Sequence, residues 1–362
     1  MNKILAICTS PDKGGLELYF TKLIDYYHSK HKAIYPVCKK NSHIQNSIKI
    51  DPFLVNKINI FNVFFYAIQL SKLAEKNRVN IIHISWTKDI LLAVLIKKFC
   101  KKKLSIVYYR QMKITRIKKD FYHKFLYRNL DLILVITDKL IKEAEKFFPV
   151  SKEKIKKLSY GIPKPTMATE LTKNEFLKKF NFREDLFTIG VFSRIEEQKG
   201  QHLIIEAMHK IKPIITQLLV IGYSMNKHYM ERIKNLILNY NLQNNVKFFN
   251  FVEKPMLLMP YFDLIILPTY EETFGLVVAE SMMMGVPVIG SNAGGVPEII
   301  KNGSNGLTFK TKNSDSLAEK ILMLIDNEDL RIKLSQNAKV YANQMYDYEQ
   351  HFNLLNHHIN RI

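Results

Sequence analysis

The chain has 362 residues, 47% of them apolar. That is enough for two domains of ordinary size with real cores, and too apolar for a disordered chain. Its 3 cysteines, Cys8, Cys38 and Cys100, are odd in number and form no CxxC pair, which argues against a disulfide framework or a cysteine zinc site and reads as reduced thiols. The formal charge of +21 is uneven: residues 1–160 carry 32 Lys/Arg against 12 Asp/Glu, and residues 161–362 carry 22 against 21. A general lysine bias would act on both halves. The N-terminal half is therefore expected to face something anionic: a membrane surface, an anionic glycolipid or nucleic acid.

In chain order, MNKILAICTSPDKGG has too short an apolar run for a signal peptide and is predicted to open on a strand. KILAICT (3–9), AIYPVCK (33–39), NIIHISW (80–86), LSIVYYR (104–110) and DLILVIT (131–137) read as buried strands. GLELYFTKLIDYYHSK (15–30) and KDILLAVLIKKFC (88–100) have helical spacing between them. This alternation predicts a parallel α/β sheet. The uncharged, apolar-rich run INIFNVFFYAIQLS (58–71) falls short of the roughly 20 residues needed to span a bilayer. KITRIKKDFYHKFLYRNL (113–130) places Ile114, Ile117, Phe121 and Phe125 at helical spacing among six cations and one acid. It reads either as an amphipathic basic helix on an anionic bilayer or as a solvated face over a core stripe.

GIPKPTMATELTKNEF (161–176) has two prolines and no strand-like run. It suits a linker, placed at 166–185 between an N-terminal domain, 1–165, and a C-terminal one, 186–344. A second α/β series follows in FTIGVFSR (187–194), LLVIGY (218–223), VKFFNF (246–251), DLIILPT (263–269) and VPVIGS (286–291). The last residues, about 345–362, read as a helix that packs back on the first domain.

Three stretches carry chemistry. Gly14–Gly15 follow the first strand and precede a helix, a turn that lets backbone amides approach a phosphate, although an ordinary strand-to-helix turn looks the same. FSRIEEQKG (192–200) puts Arg194 at a strand end and Lys199 just before a helix. The pair suits neutralisation of a diphosphate leaving group, against the bland alternative of two surface cations. YEETFGLVVAE (270–280) starts a helix near Phe274–Gly275, with Glu272 just ahead of it and Glu280 inside an apolar run. Amides at Gly275, Leu276 and Val277 form a phosphate seat. A carboxylate on each side can accept pairs of sugar hydroxyls, which fits a nucleoside-diphosphate sugar.

These residues resemble the family 4 glycosyltransferases, the large retaining group with the GT-B fold. The matching motifs are Glu272 and Glu280 as E-x7-E, the GG turn after the first strand, SR-x4-KG at 193–200, and GGVPEII followed by NGSNGLTF at 294–309. SYGIP (159–163) is similar to the segment before the family's interdomain linker, with Tyr160 where Asn is usual. The likeness is close in the C-terminal domain and in outline only before it.

The resemblance implies two Rossmann-like parallel-sheet domains facing a central cleft that closes about a hinge. It implies a metal-independent, retaining transfer of a hexosyl or related sugar from a nucleoside-diphosphate sugar, UDP preferred to GDP, with no cofactor. Arg194, Lys199 and Glu272 would be catalytic. Arg194 and Lys199 would hold the diphosphate with Gly15 and the amides from Phe274 and Gly275 to Val277; Glu280 would bind the ribose, Glu272 the donor sugar, and Phe251 and Val252 the base. The acceptor is expected to be a growing cell-surface glycan or glycolipid such as lipopolysaccharide, O-antigen or capsule. The protein is expected in the cytoplasm, peripheral on the membrane through its basic N-terminal domain. One departure matters: Arg110 stands where many members have His, and Ser85 where a second His is common. Arg110 is a candidate for binding an anionic acceptor or steadying the diphosphate. His83 is a weaker candidate, since a His in an apolar strand also serves as core. Two enzyme alternatives keep this fold, a phosphorylase and a sugar-nucleotide epimerase. A basic nucleic-acid-binding protein is the alternative of another class, and no zinc, RRM or helix-turn-helix pattern supports it.

Overall fold

The computed structural model describes residues 2–165, 172–211, 215–224 and 226–362. Its contacts divide the chain into one unit of Met1–Ser159 with Phe352–Ile362, and a second of Tyr160–His351. Residues 166–171 of the expected linker lie outside the described residues, and Lys173–Lys179 within it form a helix behind a Thr172–Glu175 capping box.

The first unit holds strands β1 (Ile4–Cys8), β2 (Ile34–Lys39), β3 (Phe53–Val55), β4 (Ile81–Ile84), β5 (Ser105–Arg110), β6 (Leu132–Val135) and β7 (Ile155–Lys157). They form a 7-stranded parallel sheet in the order β3-β2-β1-β4-β5-β6-β7. The second unit holds β8 (Phe187–Phe192), β9 (Thr216–Ile221), β10 (Val246–Phe249), β11 (Leu264–Leu267), β12 (Val288–Ser291) and β13 (Leu307–Phe309). These make a 6-stranded parallel sheet in the order β10-β9-β8-β11-β12-β13. Both orders are doubly wound, reversing between β1 and β4 and between β8 and β11. Ligands of such sheets bind beyond the carboxyl ends of the strands at the reversal.

The central strands are buried throughout and mostly apolar because helices cover both faces: every residue of β1, β4, β6, β9, β11 and β12 is buried. The terminal helix Tyr348–Ile359 brings Phe352 to the helix Gly15–Ser29, where it stacks on Tyr26 at 3.8 Å. Tyr27 Oη donates to Asn356 Oδ1 at 2.6 Å beside it.

The expected helix over 113–130 is corrected. Only Phe121–Arg128 is helical, capped by the Asp120 carboxylate accepting from His123 N at 3.1 Å. The preceding residues are drawn into other bonds. The Arg110 guanidinium donates to the Lys113 carbonyl, Ile114 N donates to Glu143 Oε2 at 3.1 Å, and Lys118 N donates to the Phe147 carbonyl at 2.8 Å. Ile114 is buried while Ile117 and Phe121 are 62% and 89% exposed, so the four apolar residues share no face.

Candidate functional site

At the reversal point of the second sheet, β8 runs into Ser193–Arg194 and β11 into the loop 268–275, which leads to the helix Leu276–Met283. Bare backbone lets these loops close on each other. Gly200 has φ +68, and a Cβ there would stand 2.2 Å from the Pro268 carbonyl oxygen. Gly294 has φ +62, and a Cβ there would stand 1.9 Å from the Glu272 carbonyl oxygen, which also accepts from Gly295 N at 2.8 Å. The glycine doublet 294–295 thus holds the backbone of Glu272 from behind. Tyr270 N and Thr269 Oγ1 both donate to the Gln198 carbonyl, at 2.8 and 3.1 Å, joining the two loops a second time.

Each cation of the site has a carboxylate partner. Lys199 Nζ lies 2.8 Å from Glu272 Oε2, with the two side chains 18% and 22% exposed. Arg194 Nη2 lies 3.0 Å from Glu196 Oε1. Pairs of this kind aim the cations, and an anionic ligand can exchange with the carboxylate. Glu280 is the fifth residue of the helix Leu276–Met283 and is half-buried. Leu276 and Val277, also half-buried, supply first-turn amides, which point out of a helix's N-terminal end. The Phe274 ring is buried edge-on against Tyr160 and Tyr346 at 5.0 and 5.5 Å, so its side chain is core and only its backbone adjoins the start of the helix Leu276–Met283. Phe251 and Val252 follow β10; Phe251 is exposed and lies edge-on to Tyr223 at 6.4 Å.

A polar chain behind these loops escaped sequence reasoning. Gln201 is buried, and its Nε2 donates to Ser193 Oγ and to the Arg194 carbonyl, both at 2.8 Å. Gln201 Oε1 accepts from Tyr229 Oη at 3.2 Å, and Tyr229 Oη lies 2.8 Å from His202 Nδ1. His202 Nε2 lies 2.7 Å from Tyr270 Oη. Since Tyr229 donates to Gln201, His202 Nδ1 carries the proton and Nε2 accepts from Tyr270. Burial, aided by the nearby Arg232, lowers the His202 pKa and keeps this neutral tautomer. The chain fixes the loop that carries Arg194. The signal was faint: His202 and Tyr270 are separated by 68 positions.

Gly15, His83 and Arg110 belong to the first unit. Gly15 is exposed and begins the helix Gly15–Ser29. The loop ahead of it is closed by two buried acids. Asp89 accepts from Thr9 N at 3.0 Å and Thr9 Oγ1 at 2.5 Å, and Glu17 accepts from Ser10 Oγ. Burial raises the Asp89 pKa to about 6. His83 is fully buried in β4 between Ala6 and Val107, with the Tyr109 ring 6.5 Å away. Arg110 ends β5, where its Nη1 donates to Thr87 Oγ1 at 2.6 Å and Tyr108 Oη at 3.2 Å. Among the described residues no group of three or more His, Cys, Asp or Glu is placed to hold a metal ion.

Residues 172–341 match the family described as "Glycosyl transferases group 1". An uncharacterized glycosyltransferase of Methanocaldococcus jannaschii is 28% identical over 60% of this chain, which spans only 56% of that protein. The Escherichia coli O-antigen biosynthesis glycosyltransferase WclY is 27% identical over 92% of this chain and 91% of its own length. A crystal structure of Anabaena Alr3699/HepE in complex with UDP superposes with a TM-score of 0.83 at 20% identity, covering 99% of this chain and 100% of that one. The fold is accordingly GT-B, with two Rossmann-like parallel-sheet domains.

Proposed function

We propose that this chain, a group 1 glycosyltransferase by family, moves a sugar from a nucleoside-diphosphate donor to a growing cell-surface glycan or glycolipid, with retention at the anomeric carbon. The observation that carries this reading is the reversal point of the second sheet. There Lys199 meets Glu272 at 2.8 Å, Arg194 stands on the same loop as Lys199, which is tied to the loop of Glu272, and a helix begins at Leu276. In this reading the donor diphosphate takes Lys199 and Arg194 from their carboxylate partners and rests on the first-turn amides. The freed Glu272 carboxylate accepts from donor-sugar hydroxyls and Glu280 from the ribose. As the sugar–phosphate bond breaks, the two cations and the helix amides stabilise the charge growing on the leaving diphosphate. The leaving phosphate takes the acceptor hydroxyl's proton on the same face, which gives retention without a carboxylate nucleophile or a metal ion.

UDP is the proposed nucleotide, because the fold neighbour named above was crystallised in complex with UDP. A glycan acceptor accords with the O-antigen relative, and Arg110 is proposed to meet an anionic group on it. The first unit carries 33 Lys/Arg against 12 Asp/Glu and the second 21 against 21, so the whole excess charge lies on the first. That supports attraction of the first unit to the cytoplasmic face of an anionic membrane. Glu280→Ala and Arg194→Ala are each expected to cut turnover at least about tenfold with the fold intact. A folded Glu280→Ala protein with normal rates would overturn the site assignment.

A further inference from the structure

The helix Val63–Asn77 has two apolar faces. Val63, Ala67, Leu70 and Ala74 are buried against the first unit's core. On the opposite face Phe64, Phe65 and Ile68 are 49%, 59% and 45% exposed, and Phe61, just ahead of the helix, is 91% exposed. Lys72 and Lys76, both exposed, continue the same stripe at spacings of three and four. The patch extends beyond this helix: the Phe64 ring lies 6.5 Å from Phe99, itself 41% exposed at the end of the helix Ile90–Phe99, which packs alongside. The run Lys101–Lys103 follows Phe99 after a single residue, Cys100. The one acid of the outer helix, Glu75, is engaged: its Oε1 accepts from Lys101 N at 2.6 Å and its carbonyl from Lys102 Nζ at 3.3 Å.

Single exposed apolar side chains are ordinary, but a contiguous aromatic patch is not left to water without a use. Whatever covers this one must be apolar under the phenylalanines and anionic beside the lysines. We propose that this face inserts its aromatic side chains into the boundary of an anionic lipid bilayer, with Lys72, Lys76 and the 101–103 run on the headgroups. An acidic protein would satisfy the lysines and a second copy of this chain the phenylalanines. The bilayer satisfies both, and it accords with the placement of the entire charge excess on this unit. Among the described residues no helix is long and apolar enough to cross a membrane, so the stripe lies on the surface. The inference rests on the proposed membrane-facing role of the first unit and adds the face that enters the lipid.

The test uses the full chain carrying Phe65→Trp, a change at an exposed position, against the background of the single native Trp86. Vesicles of phosphatidylcholine, alone or mixed with phosphatidylglycerol, are compared, some with brominated acyl chains. The expected result is a blue shift and bromolipid quenching of the new indole only with the anionic vesicles. Phe61→Ser with Phe64→Ser is expected to weaken vesicle binding at least about tenfold, and Lys72→Glu with Lys76→Glu to weaken it further. UDP binding should be the same in all these proteins, which separates this inference from the donor reading. Vesicle binding without quenching, or unchanged in the phenylalanine variant, would overturn the insertion while leaving charge-driven adsorption in place. No binding by the unmodified chain would overturn both. Self-association that the phenylalanine variant abolishes, with no vesicle binding, would assign the face to a second copy and overturn the proposal.

Discussion

Gly294→Ala isolates the idea that bare backbone sets the position of Glu272. Two costs are separable. The left-handed φ of +62 is uncomfortable for alanine, by about 1–2 kcal/mol. The new Cβ would also stand 1.9 Å from the Glu272 carbonyl oxygen, and 2.8 Å from that residue's nitrogen and carbonyl carbon. Packed atoms do not approach that closely, so the Glu272 loop must retreat by about 1 Å, a displacement that in an active site costs about 100-fold in rate. Gly303→Ala is the control: its φ is +76, and nothing lies within 4 Å of the added Cβ. Both variants are expected to melt a few degrees lower. Only Gly294→Ala is expected to lose kcat/KM, measured with the proposed nucleoside-diphosphate sugar donor as release of the nucleoside diphosphate, by about 100-fold. Equal kcat/KM in the two variants would mean that the clash at Glu272 does not reach the reacting groups, against this expectation.

Two further outcomes are expected. The Lys199–Glu272 pair predicts opposite effects of its two halves: Lys199→Met should weaken UDP binding about tenfold, whereas Glu272→Gln should leave it equal or tighter while lowering sugar transfer. Titration calorimetry of both variants checks this, and equal losses of UDP affinity would count against exchange of the pair. Asp89 gives a pH dependence. Its folded pKa of about 6 lies above the unfolded 3.8, so its contribution is fully present below 3.8 and is lost as pH rises through about 6. The difference corresponds to about 3 kcal/mol. Urea unfolding at about pH 4.5 and about pH 7.5 should show a smaller fall in stability with rising pH in Asp89→Asn than in the parent; identical slopes would contradict it.

Ten of the strands were legible in the sequence because they read as apolar runs, most of them in strands buried on both faces. The three that were not, Phe53–Val55, Ile155–Lys157 and Leu307–Phe309, have 3 residues each and lie at sheet edges, too short to show a period. Glu272 and Glu280 were readable because they lie within one short local stretch, the turn after β11 and the helix it enters. The Lys199–Glu272 pair bridges 73 positions, and the Gln201–Tyr229–His202–Tyr270 chain joins three elements, so neither leaves a local pattern. The segment 113–119 misled for the converse reason: its spacing is helical, but Arg110, Glu143 and Phe147, from outside it, take up its backbone groups.

Glu280 and the cations at the second sheet's reversal point are proposed to hold a nucleoside-diphosphate sugar. Titration calorimetry of UDP, GDP and their common sugar conjugates into the parent chain and Glu280→Ala, without divalent metal, tests it most directly. Selective binding of one nucleotide family by the parent, UDP above GDP, is expected, with its loss in a folded Glu280→Ala protein. Binding of equal strength by the two proteins would contradict it.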